Sequence, residues 1–185
     1  MNRSARWTGL LELLCVIVIS VATAGAAEPA PSNAAGARPR QPMAGSPPRM
    51  SLALAEKALT AAQSAASAAG VHVAIALVDA NGDLVAFVRL DGAPSLAVTT
   101  SQGKARAAIL FGIPTKAVQD AIASGKPIEA RLTAPPLGAN ELTPFQGGVP
   151  IFDNGRLIAA IGVGGSAPPM DERIAQAGAD AVGRR

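Results

Sequence analysis

The chain has 185 residues, 49% of them apolar but only 3% aromatic, and its 41 alanines account for the mismatch. With no Tyr, one Trp and four Phe, the composition argues against an aromatic platform for stacking nucleic-acid bases. The net charge of +3 is N-terminal: residues 1–50 carry five Arg against two acids, whereas residues 51–185 balance eleven Lys and Arg with eleven Asp and Glu.

Arg3 and Arg6 precede an apolar run from Leu13 to Ala24, and small residues follow through Ala27. This three-part pattern predicts a cleaved signal peptide over residues 1–27 and a periplasmic or secreted destination. The run of about 12 clean apolar residues falls short of the ~20 that span a bilayer, so no stable membrane insertion is expected after cleavage. Cleavage would remove Cys15, the one cysteine, leaving neither a disulfide nor a thiolate. Residues 28–49 hold six prolines among Ala, Gly and Ser, with Arg38, Arg40 and Arg49, and read as a disordered tether.

The folded domain is expected over residues 50–185, long enough to bury roughly two-thirds of its chain surface. Ser51 suits a helix N-cap, apolar positions from Leu52 to Ala69 keep helical spacing, and Gly70 ends the segment. Runs 71–79 and 83–90 flank Asn81-Gly82, a hairpin signal. Helices are expected over 95–111 and, opened by Pro114, over 114–124. A Pro/Gly-rich loop follows over 125–140, with a short strand around 141–145. Runs 149–152 and 156–163 make a second hairpin across Asn154-Gly155, and residues 168–182 close as a helix. Two hairpins with intervening helices predict an α+β domain with one antiparallel sheet of about five strands flanked by helices.

The motifs bearing chemistry are few. Asp79, Asn81 and Asp83 begin like a calcium loop, but Leu84 and Leu90 stand where its glycine and bidentate glutamate belong. Gly162, Gly164 and Ala167 match a dinucleotide fingerprint, but Pro168-Pro169 follow at once and no second acidic strand remains. These glycines instead let backbone approach either a neighbouring element or a ligand. One histidine, His72, excludes a multi-histidine zinc site, although a single imidazole is enough for an axial haem ligand. Lys104 and Arg106, two apart on one helix, do not share a face, and either suits a carboxylate.

The segment Ala76-Leu-Val-Asp79-Ala-Asn-Gly-Asp-Leu-Val-Ala-Phe-Val-Arg89-Leu-Asp91-Gly92-Ala93 resembles the opening hairpin of GlcG/HbpS-like proteins, also called the haem-degrading domain. Lys104-Ala-Arg106, Gly147-Gly148-Val-Pro150 through Gly155, Ala160 through Gly165, and Asp171 through Gly178 resemble later blocks of that family, in order. The likeness covers about residues 51–182. It implies a profilin-like or Roadblock-like fold, assembly into homo-oligomers, and haem or another small acidic ligand. Here Asp83 replaces the family's frequent turn histidine, and Ala107 its helix threonine.

The expected site lies between helix 95–111 and the Gly147–Pro150 and Gly162–Ser166 backbone. Lys104 and Arg106 would meet acidic groups, Thr115 or His72 would approach iron, Ile109, Phe111 and Val149 would supply apolar contacts, and Gly147, Gly148 and Gly164 would bring backbone close. The leading function is an exported, oligomeric, haem-binding protein rather than a turnover enzyme. The alternatives are an accessory oligomer of an envelope metabolic pathway, or an enzyme acting on a small carboxylate metabolite.

Overall fold

The computed structural model describes residues 49–130 and 142–183. The expected signal peptide, all of the tether except Arg49, and most of the loop before residue 141 lie outside these residues. The element order is α1 (Leu52–Ala68), β1 (Ala74–Asp79), β2 (Leu84–Arg89), α2 (Ser95–Phe111), α3 (Thr115–Ala123), β3 (Gly148–Asp153), β4 (Arg156–Gly164) and α4 (Pro168–Val182). The strands form one antiparallel sheet in the order β2-β1-β4-β3. The α+β class is as expected, but the sheet has four strands among the described residues, not about five. Residues 142–145 are not a strand. Pro144 lacks an N–H to donate, and the N–H of Gln146 donates to Gln119 Oε1 of α3 at 2.9 Å rather than to a strand.

Local chemistry sets the element ends. Ser51 caps α1, its hydroxyl accepting the Leu54 N–H at 3.3 Å. In the first hairpin, Asp79 Oδ1 accepts the N–H groups of Asn81 at 2.8 Å and Asp83 at 3.0 Å. Gly82 takes the left-handed conformation (φ +85°), and the β1–β2 register slips by one residue after Leu77. In the second hairpin Asn154 and Gly155 both have positive φ, 47° and 75°, the requirement of a tight two-residue turn.

The two sheet faces are packed differently. On one, Ile75, Leu77, Ile151, Ile161 and Val163 meet Ala55, Ala58, Ala62 and Ala66 of α1 and Ile174, Ala175 and Ala179 of α4. Large side chains on the sheet meet small ones on the helices. A methyl group added at Gly178 of α4 would stand 2.9 Å from the Ala58 carbonyl oxygen, so these two helices touch at the backbone. The other face is nearly bare: Ala74, Ala76, Ala160, Gly162 and Gly164 alternate toward α2. A Cβ at Gly162 would collide with the Ser101 carbonyl and stand 2.5 Å from the Ala105 nitrogen. Helix α2 therefore lies directly on strand backbone, and the abundance of alanine and glycine is what permits it.

Candidate functional site

A cleft of about 320 Å³ opens where the first half of α2, the end of β4 and the start of α4 converge. Its walls are Pro94, Leu96, Ala97, Phe145 and Pro168, with Thr100, Thr143, Gly165 and Ser166 between them. Leu96 and Phe145 are 71% and 59% exposed, so the apolar surface continues beyond the cleft mouth. Lys104 and Asp171 also line it, and both are buried, at 5% and 1% exposure.

These two residues form a salt bridge of 2.8 Å. Lys104 Nζ also donates to the Val163 carbonyl at 2.9 Å, which uses two of the three hydrogens of an ammonium group. Gly147 packs close against it: a Cβ there would stand 2.8 Å from Nζ and 2.9 Å from the Asp171 Cβ and the Val163 carbonyl oxygen. Asp171 accepts the Ser166 N–H on its other oxygen at 3.0 Å, tying the start of α4 to the strand that precedes it. Burial pushes the Asp171 carboxyl above its ordinary range; hydrogen bonding to Lys104, the charge of Lys104 and the Ser166 N–H pull the other way.

The expected site residues divide into five settings. Lys104 lines this cleft, and the buried Gly147 packs against its Nζ. His72 is exposed and adjoins it: the His72 carbonyl abuts Gly165, and the ring lies against Gly92, two residues before the wall residue Pro94. Gly148 and Gly164 receive α2 and α3 instead of a ligand: a Cβ at Gly148 would strike the Lys104 carbonyl and stand 2.7 Å from the Thr115 methyl, and one at Gly164 would strike the Thr100 hydroxyl. Thr115 is fully buried, and its hydroxyl accepts the Gly148 N–H at 2.8 Å. The space expected between α2 and these strands is thus filled by direct packing, with Ile109 and Val149 inside the core. The open volume lies beside α2 rather than beneath it.

Arg106 points away from Lys104, as two residues on a helix must. It is 6% exposed, its Nη1 has no hydrogen-bond partner, and burial lowers its pKa against the opposing influence of Asp83. It is not among the residues lining the cleft. Asp171 and Phe145 are the site residues that sequence reasoning missed. Asp171 reads locally as an acid at a helix N-terminus, and its partner stands 67 positions away. Among the described residues, no group of three or more His, Cys, Asp and Glu would hold a metal ion, and no helix is long and apolar enough to cross a membrane.

An antiparallel sheet with helices on both faces and a small apolar cleft beside a buried ion pair defines a small α+β domain. Residues 50–180 match the family model described as haem degrading protein HbpS-like, and the chain belongs to that family. It is 35% identical over 114 residues to protein GlcG of Escherichia coli (strain K12), a stretch covering 62% of this chain and 80% of GlcG. The crystal structure of HbpS is 32% identical with a TM-score of 0.64, over 76% of this chain and 94% of HbpS. PduOC, solved as a haem complex, shares the fold at 23% identity and a TM-score of 0.63, over 73% of this chain and 96% of PduOC.

Proposed function

We propose that this protein binds haem at the cleft beside α2, as an exported homo-oligomer. The observation carrying this is the cleft itself: apolar walls that continue onto exposed Leu96 and Phe145 and a buried cation in its lining, with the His72 carbonyl beside the lining residue Gly165. A flat apolar macrocycle with acidic side groups suits that combination. Pro94, Leu96, Phe145 and Pro168 would hold the ring, the free N–H of Lys104 would meet a propionate, and His72 would serve the iron. Bound haem would supply the iron's redox and ligand-exchange chemistry. Membership in the HbpS-like family and the haem complex of PduOC support this reading. Thr115 and Arg106 take no part in it, because one is spent inside the core and the other lies off the cleft.

Hemin titration of the purified protein tests the proposal. Saturable binding with a Soret shift is expected, with weaker binding in Leu96→Asp and an altered spectrum in His72→Ala. A titration that neither saturates nor shifts the band removes haem from the account. Native mass spectrometry would report subunit number, and N-terminal sequencing of the protein recovered from its host would show whether residues 1–27 are removed.

A further inference from the structure

Lys104 is a buried amine in an unusual setting for a purely structural residue. It lines a cleft, it sits against a carboxyl group, and the buried Gly147 packs so close that a Cβ there would stand 2.8 Å from its nitrogen. Most surface lysines are strongly hydrated point charges; a desolvated one beside a proton acceptor is the arrangement in which amines act as nucleophiles. We propose that Lys104 forms an imine with a small aldehyde or 2-oxo acid bound in the cleft, with Asp171 moving the protons.

The geometry supplies each part. Attack requires that the Lys104 ammonium hand a proton to the Asp171 carboxylate beside it. The 2.8 Å contact is the path for that proton. Burial favours the protonated form of Asp171, against the opposing pull of Lys104 and the Ser166 N–H. The Nζ lone pair then attacks the carbonyl carbon; a C–N bond forms and the C=O π pair moves to oxygen, which takes the proton held by Asp171. A proton from the new C–N nitrogen returns to Asp171 and passes to the hydroxyl group, which leaves as water as the C–O bond breaks. The nitrogen lone pair closes the C=N bond as water leaves, and the nitrogen keeps one proton beside the Asp171 carboxylate; the net change is ammonium plus carbonyl compound to protonated imine plus water, with no oxidant or reductant. A cleft of about 320 Å³ can enclose a compact carbonyl compound whole, whereas a macrocycle would extend past its mouth onto Leu96 and Phe145. The inference does not depend on haem, and a failed hemin titration would leave it standing.

Reductive trapping tests it on the full chain. The protein is incubated with propanal or with pyruvate in the presence of cyanoborohydride, which reduces an imine to a stable secondary amine. Peptide mapping then compares Lys104 with the other lysines, of which Lys57 and Lys126 are exposed. Expected is labelling of Lys104 about tenfold or more ahead of these two, with a similar loss of rate in Asp171→Asn. A merely structural ammonium predicts the reverse order, since burial protects it. Labelling of Lys57 and Lys126 at or above the rate of Lys104 overturns the proposal, and this comparison needs no variant to fold. Lys104→Arg, checked for a native unfolding transition, is expected to lose the fast adduct; a fast adduct that persists in it also overturns the proposal.

Discussion

Breaking the Lys104–Asp171 pair from one side leaves a buried charge without a partner, and the cost follows from the geometry. At 2.8 Å the attraction is about 6 kcal/mol for an effective dielectric of about 20, before the cost of dehydrating both ions is subtracted. Lys104→Met strands a carboxylate that keeps only the Ser166 N–H; Asp171→Asn strands an ammonium that keeps the Val163 carbonyl. Each single change is expected to cost about 3–5 kcal/mol, as for other buried pairs cut on one side. The double variant carries no net charge at the site and should cost far less than the sum, with a coupling of about 2–3 kcal/mol. Urea unfolding at one protein concentration reads all four proteins, provided the slopes agree. Single variants losing under about 1 kcal/mol, or a double variant equal to their sum, would mean that water reaches the pair and that the buried-site reasoning is wrong.

The pH dependence of Asp171 has a definite sign. Its folded pKa is raised from 3.8, so between that value and the raised one the folded state binds more protons than the unfolded state. Its contribution to stability is therefore fullest below the unfolded pKa and declines as pH rises through the folded one; the difference between wild type and Asp171→Asn across this window checks it. Carbon-13 NMR titration of the Asp171 carboxyl should show a further upward shift in Lys104→Met, because Lys104 opposes the burial effect. Gly162→Ala should cost about 1–3 kcal/mol in urea unfolding, since its methyl meets the backbone of Ser101 and Ala105, which cannot rotate away. Thr115→Val should cost about 1–3 kcal/mol by leaving the buried Gly148 N–H without its acceptor, and amide hydrogen exchange at Gly148 should speed up.

Local sequence determined most of the architecture. Ser51 with the apolar spacing behind it, the Asn154-Gly155 turn, the helix over 95–111 and the helix opened by Pro168-Pro169 all appear where short-range chemistry puts them, because capping, turn geometry and periodicity act within a few residues. The short strand expected around 141–145 does not form over 142–145, where the adjoining Gln146 N–H is taken by the Gln119 side chain of α3, 27 positions away. The alanine excess forecast close packing of helix on sheet, yet alternation alone leaves open whether Gly148, Gly162 and Gly164 face a ligand or a neighbouring element. Tertiary structure decided that α2 fills the space against them and that the cleft opens to one side. It also decided that Lys104, and not Arg106, reaches the cleft, and that its partner is an acid 67 positions away. Desolvation and long-range pairing depend on what the whole chain places around a group, and no local stretch of sequence carries that information.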